Sequence, residues 1–148
     1  GARTLLTMPT GRQDALTPDN ADATIQECLR FDPPLHMFTR HVYERMELAG
    51  HVFERGDEIG LLLGAANRDP ARFEDANRFD PGRADAANIS FGAGVHFCIG
   101  APLARLEMKI ALGTLWARCP KLRMVGQPRY GDRYHFHGLG RLMVTCPG

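Results

Sequence analysis

The chain has 148 residues and a formal net charge of +1, with 44% apolar and 24% charged residues. That is enough for one modest domain. The charge excludes an electrostatic footprint for nucleic acid or an anionic membrane surface, and no apolar run approaches the ~18 residues of a membrane span.

Residues 1–16 carry little pattern. Leu5-Leu6 and Met8-Pro9 read as the tail of an earlier element, and Gly11-Arg12-Gln13-Asp14 as loop. This stretch is expected to be a remnant or linker ahead of a single unit spanning 17–148, either disordered or docked on a partner chain. Thr17-Pro18 predicts a helix start, with Thr as cap and Pro at the first helical position. Ala21, Ile25, Cys28 and Leu29 then recur at helical spacing, and Pro33-Pro34 ends the helix near Phe31-Asp32. Glu27 and Arg30 are three apart and share a face away from that stripe. From spacing alone they are either a solvated ion pair or a buried one.

Residues 38–63 alternate as β-structure, with turns at Ala49-Gly50 and Gly56-Asp57. The run from Ile59 to Leu63 begins as a strand and can continue into a short helix, broken by Asn67-Arg68-Asp69-Pro70. Residues 71–90 are rich in Asp, Asn, Arg, Pro and Gly and predict a long irregular segment, of the length that is usually functional or disordered.

The most informative run is Phe91-Gly92-Ala93-Gly94-Val95-His96-Phe97-Cys98-Ile99-Gly100. It places a thiol at the end of a glycine-rich loop and at the mouth of the next helix. Helix N-termini carry unpaired N–H groups and partial positive charge, and the thiolate is the form of cysteine that binds metal. A lone soft sulfur ligand in such a loop suits the axial position of a haem iron; a buried structural cysteine beside a turn is the alternative. The following helix is predicted over residues 102–118, stopped by Pro120. Its stripe of Ile99, Leu103, Leu106 and Ile110, extended by Leu112, Leu115 and Trp116, is expected to face the core. Residues 121–148 read as short strands and turns.

The cysteines Cys28, Cys98, Cys119 and Cys146 are scattered and form no C-x-x-C pair, so a reduced, cytoplasmic setting is expected. His96-x-Cys98 and His135-x-His137 are a poor match to a structural zinc site, which brings paired ligands at short spacing from two places.

Phe91 to Gly100 resembles the haem-binding loop of the cytochrome P450 monooxygenases, Phe-x-x-Gly-x-x-x-Cys-x-Gly, with all four fixed positions present. Ala101-Pro102-Leu103-Ala104-Arg105-Leu106-Glu107 is similar to the helix that follows it in soluble bacterial members. The resemblance implies a mainly helical α+β fold with small β-hairpins, the C-terminal portion of the cytochrome P450 fold. It implies haem b (iron protoporphyrin IX) as cofactor with Cys98 as iron ligand, and Phe91, Gly92, Gly94, His96, Gly100, Ala104 and Arg40 as cofactor-binding residues. His96 and Arg40 would meet the propionates. Glu27-x-x-Arg30 resembles the buried Glu-x-x-Arg pair of the family, with Arg78 of Asn77-Arg78-Phe79-Asp80-Pro81 expected as third partner. Leu35, His36, Met37, Phe38 and Phe136 would line the substrate cavity.

The implied activity is O2-dependent oxidation of a small apolar organic substrate, with electrons from a ferredoxin or flavoprotein. The resemblance covers most of residues 17–148. Within them the long helix that crosses the distal haem face, with its acid–alcohol pair, has no counterpart, and neither has the helix that supplies further propionate ligands. The expectation is therefore a C-terminal fragment of a bacterial-type enzyme, completed by an N-terminal part, that fails to hydroxylate alone and has no catalytic residue of its own. A stand-alone haem-binding module and a non-catalytic remnant are the competing readings.

Overall fold

The computed structural model describes residues 2–8 and 14–147. Pro9 and the 11–13 portion of the expected first loop lie outside the described residues. The chain opens with α1 (Ala2–Leu6), passes a 3-10 turn at Asp14–Leu16, and enters α2 (Ala21–Phe31). Strands β1 (Met37–His41), β2 (Met46–Leu48), β3 (His51–Phe53) and β4 (Glu58–Leu62) follow, then α3 (Leu63–Ala66). After the irregular segment comes α4 (Ala101–Arg118), and then β5 (Arg123–Met124), β6 (Arg129–Tyr130), β7 (Leu139–Arg141) and β8 (Val144–Thr145). The strands form four two-stranded antiparallel ladders, β1–β4, β2–β3, β5–β8 and β6–β7. This is the mainly helical α+β arrangement with small hairpins expected from the sequence.

The start of α2 differs from expectation. Thr17 does not cap it: the Thr17 hydroxyl donates back to the Asp14 carbonyl at 3.1 Å, and Thr17-Pro18 forms a lead-in turn. The helix proper begins at Ala21, with Asn20 at the cap position and its carbonyl accepting the Thr24 N–H at 3.0 Å. Ala21, Ile25, Cys28 and Leu29 are buried as the spacing predicts, but so are Thr24, Glu27 and Arg30. An 11-residue helix buried on nearly every side must satisfy its polar side chains internally.

The core lies where α1, α2, α4 and β5 meet. Leu5, Leu6, Cys28, Leu112, Trp116 and Leu122 form one buried cluster. Leu5 is fully buried, so the first described turn of helix is part of the packed unit rather than a detached linker.

The stripe expected on α4 splits in two. Leu112 and Trp116 point into the core, whereas Leu103, Leu106 and Ile110 are exposed, as is Ile99 just ahead of the helix. A 3.6-residue period identifies apolar positions but not which of two apolar faces meets the rest of the chain. On α4 both faces are apolar, and α2 covers one of them.

The run from Ile59 behaves as read, as strand β4 and then the short helix α3. The segment between α3 and residue 90 contains no regular element, yet buried hydrogen bonds fix it, as described next.

Candidate functional site

The site rests on a polar network seeded by α2. Glu27 and Arg30 lie one turn apart with side chains wholly excluded from solvent. The Arg30 fork donates from Nε to Glu27 Oε2 at 2.7 Å and from Nη2 to Oε1 at 2.8 Å. Its remaining donors reach main-chain carbonyls of the irregular segment: Asn67 at 2.8 Å, Ala76 at 2.9 Å and Arg78 at 3.1 Å. Glu27 Oε1 also accepts the Asp80 N–H at 2.9 Å. One buried ion pair thus organises a loop with no ladder of its own, and this resolves the choice left open by spacing.

Arg78 contributes only its carbonyl to that network. Its side chain is 68% exposed and lies 3.6 Å from Asp80. The guanidinium that comes to Glu27, at 3.4 Å, belongs to Arg83, which also donates to the carbonyls of Glu74, Asp75 and Arg78. The expected third partner is corrected from Arg78 to Arg83. Both arginines sit in the same Pro- and Gly-rich stretch, and only the path of the turn at residues 80–83 decides which one folds inward.

Asn67 and Ser90, both buried, carry the network to the cysteine loop. The Asn67 side chain donates to the Ser90 hydroxyl at 2.8 Å and accepts the Ile89 N–H at 3.0 Å. The Ser90 hydroxyl donates to the Leu29 carbonyl at 2.7 Å. Sequence reading passed over both: Asn67 looked like a helix breaker, and Ser90 carries no periodic signal. Ser90→Ala leaves the Asn67 amide and the Leu29 carbonyl without a buried partner, and the expected cost is about 1–3 kcal/mol. Urea unfolding of the whole protein carrying this chain measures it; an unchanged midpoint would remove Ser90 from the network.

The loop that follows is closed at its neck. The Cys98 N–H donates to the Phe91 carbonyl at 2.9 Å, and the Cys98 carbonyl accepts the Ala101 N–H at 3.1 Å as α4 begins. Gly92 and Gly94 have φ of +73° and +63°, which favours glycine, and a Cβ on Gly92 would lie 3.6 Å from the Phe38 ring. His96 sits in a 3-10 turn, Gly94–His96. The Arg105 guanidinium stacks 4.7 Å from the Phe91 ring. Gly100 and Ala104 are half-buried at the helix start, and Gly100 lies beside the Cys98 sulfur.

Cys98 is exposed and unpaired. Val95, Phe97, Ile99 and Leu103 around it are exposed too. Phe38, in contact with the loop at Gly92, carries the Arg40 guanidinium 5.7 Å from its ring. The exposed Arg40 side chain also donates to the Thr39 carbonyl at 3.0 Å. The arrangement can present one soft donor on an apolar floor, with the Arg40 guanidinium and the His96 imidazole exposed nearby.

The predicted lining residues also come together in part. Leu35 bridges Phe136, the His36 N–H donates to the His135 carbonyl at 3.0 Å, and the His137 N–H donates to the Pro34 carbonyl at 2.8 Å. Met37 and Phe38 stand on β1, paired with Leu62 and Leu61. A cavity of about 520 Å³ opens beside them, lined by Arg3, Asp32, His36, Arg68 and His137 among others. Leu35, Met37, Phe38 and Phe136 do not line it.

Asp32, His36 and His137 converge there within metal-ligand distance of one another. The two imidazoles, however, are stacked with centroids 4.2 Å apart and planes inclined by only 18°. Their in-plane lone pairs therefore run side by side and do not meet at one ion. The Asp32 carboxylate is already bonded to Arg3 at 2.8 Å. Among the described residues, no three-ligand group includes His96, Cys98 or His135.

Burial, together with the nearby His137 and Arg68, holds the His36 imidazole below its ordinary value of 6.5, with Asp32 opposing. The folded state thus favours neutral His36. The associated stability is present above that ordinary value and is lost as the pH falls through it. The melting temperature of the whole protein should drop on acidification below about pH 6.5, with a shallower slope in His36→Asn. An identical slope in the variant would assign the drop to other groups.

Comparison with known proteins agrees with this picture. The family description Cytochrome P450 matches residues 21–121. The chain is 40% identical over 129 residues to the biotin biosynthesis cytochrome P450 of Bacillus subtilis, covering 86% of this chain and 33% of that protein. It is 45% identical over 135 residues to cytochrome P450 107B1 of Saccharopolyspora erythraea, covering 88% and 33%. Among solved structures, P450BioI in complex with hexadec-9Z-enoic acid ligated acyl carrier protein superposes with a TM-score of 0.93 at 37% identity, over 99% of this chain and 38% of that one. The Bacillus subtilis bacillaene polyketide synthase cytochrome P450 PksS gives 0.94 at 33% identity, over 99% and 39%.

The fold is therefore that of a portion of a bacterial P450. The chain belongs to the cytochrome P450 family and spans about a third of the length of the curated relatives it matches. No helix among the described residues is long and apolar enough to cross a membrane.

Proposed function

We propose that the protein carrying these residues is a haem-thiolate monooxygenase that oxidises a small apolar organic substrate with O2, and that residues 17–148 are its proximal, haem-holding part. The observation that carries this is the exposed Cys98 thiol at the hydrogen-bonded neck of a glycine loop on α4. The residues present fit iron protoporphyrin IX: a soft donor, an exposed apolar floor, and an exposed guanidinium and imidazole for its carboxylates.

Cys98 would hold the iron of that group through its sulfur. When bound, such a group supplies the O–O cleavage chemistry. The Cys98–Phe91 hydrogen bond fixes where the sulfur points, and Phe91, held by Arg105, covers the loop. Gly92, Gly94, Gly100 and Ala104 keep the approach free of bulk. Arg40 and His96 would hold the propionates, for which the arginine fork is suited. Leu35, Met37, Phe38 and Phe136 line the substrate side and exclude water, while His36 offers a polar contact. Electrons come from a ferredoxin or flavoprotein.

The test uses the whole protein, reduced and exposed to CO, beside its Cys98→Ala variant. A red-shifted Soret band that disappears in the variant is expected. A band that survives the substitution would assign the iron to another ligand. A thiolate spectrum without any oxidation in the presence of a redox partner would favour a haem-binding module over an enzyme.

A further inference from the structure

We propose that Cys119 and Cys146 form a redox modification site, a dithiol that a peroxide closes to a disulfide tying the end of α4 to the last strand. Cys119 caps α4, its N–H bonded to the Leu115 carbonyl at 2.8 Å. A tight turn follows, with the Leu122 N–H on the Cys119 carbonyl at 3.0 Å. Strand β5 then pairs with β8 in the register Arg123–Thr145 and Met124–Val144. Cys146 follows the last paired residue of that ladder, next to the turn that Cys119 begins. The two thiols are near enough there to influence each other.

Among the described residues, the other two cysteines are set apart by place or by burial. Cys98 precedes α4, at the opposite end of an 18-residue helix from Cys119, or about 27 Å at 1.5 Å per residue. Cys28 is buried in the core, where burial pushes its thiol up to about 11. Among the described residues, no carboxylate or imidazole completes a three-ligand metal set with the pair. Access is one-sided: Cys146 is exposed and Cys119 half-buried. An oxidant therefore reaches Cys146 first, with the second sulfur nearby.

The chemistry balances with hydrogen peroxide as oxidant. Its O–O bond breaks as one thiol becomes a sulfenic acid and one water leaves. The second sulfur attacks the first, the S–O bond breaks, an S–S bond forms and a second water leaves. Two thiols lose two electrons, and the peroxide gains them. The neighbouring Cys119 thiol pushes the Cys146 thiol above its ordinary value, with burial adding and Lys121 opposing. Ring closure should therefore quicken as the pH rises. The ring so closed contains β6, β7 and the tail residues Phe136 and His137. Oxidation thus restrains a segment placed against Leu35 and His36. In a reducing compartment such a bond is transient, as sensing disulfides are.

The experiment treats the whole protein with hydrogen peroxide, blocks free thiols, digests without reductant and maps the peptides by mass spectrometry. The expected product is a linked peptide joining Cys119 to Cys146, lighter than its two parts by the thiol hydrogens. It should vanish after dithiothreitol and in C119S and C146S, and the wild type should lose two titratable thiols. Sulfinic or sulfonic acid at Cys146 with Cys119 still free would overturn the proposal. So would a bridge from Cys146 to another cysteine, or a pair still reduced at peroxide levels that oxidise an ordinary exposed thiol.

Discussion

Glu27→Ala is expected to destabilise the protein by about 3–5 kcal/mol, the cost of breaking one side of a buried ion pair. Against the 5–15 kcal/mol that separates typical folded and unfolded states, this is close to a loss of fold. Arg30 would keep its charge in a solvent-free position with two donors unpaired, and the Asp80 N–H would lose its acceptor. Removing both charges would not rescue the protein. Arg30 also satisfies the carbonyls of Asn67, Ala76 and Arg78, and each buried orphan costs about 1–3 kcal/mol. A double variant with Glu27 and Arg30 both replaced by apolar residues should therefore remain destabilised. Urea unfolding of the whole protein, with the slope checked for constancy, reads each value. Arg78→Ala should stay within about 0.5 kcal/mol of the parent, and Arg83→Ala should not. The reverse order for that last pair would contradict the assignment of Arg83 to Glu27.

Cys98→Ala is expected to reduce substrate oxidation by the whole protein more than about 100-fold. Changing groups that merely support a metal ligand typically costs 10–100-fold, and removing the ligand itself should exceed that. Stability of the haem-free protein should move little, since the side chain is exposed and its N–H bond to Phe91 is made by the backbone. Turnover of the haem-loaded protein and the urea midpoint of the haem-free protein separate the two effects. Activity within about tenfold of the parent would show that Cys98 is not the axial ligand.

The loop, its cysteine and the two flanking helices were legible because each rests on local rules: fixed glycine offsets, a proline stop, a helical period. The strands were legible as alternation and turns, but the pairing of β1 with β4 across β2 and β3 was not. What escaped depends on packing between distant segments. Glu27 and Arg30 at three-residue spacing suit a surface pair as well as a buried one, and only the chain folded over them decides. Arg78 and Arg83 are five apart in a segment without periodicity, so sequence offers no phase to choose between them. Leu103 and Leu112 are both apolar on α4, yet one is 59% exposed and the other buried, a difference set by where α2 lies. Asn67 and Ser90 act through single hydrogen bonds, which leave no pattern along the chain.

Arg30 grips the irregular segment by main-chain carbonyls at residues 67, 76 and 78 rather than by side chains. Every residue type offers a carbonyl. Natural variants can therefore drift in identity at positions 76 and 78 so long as the chain keeps its course, whereas a Lys at position 30, with no planar fork, has no equivalent grip. What α2 specifies there is a path, written in an arginine more than 35 positions upstream of the carbonyls it fixes.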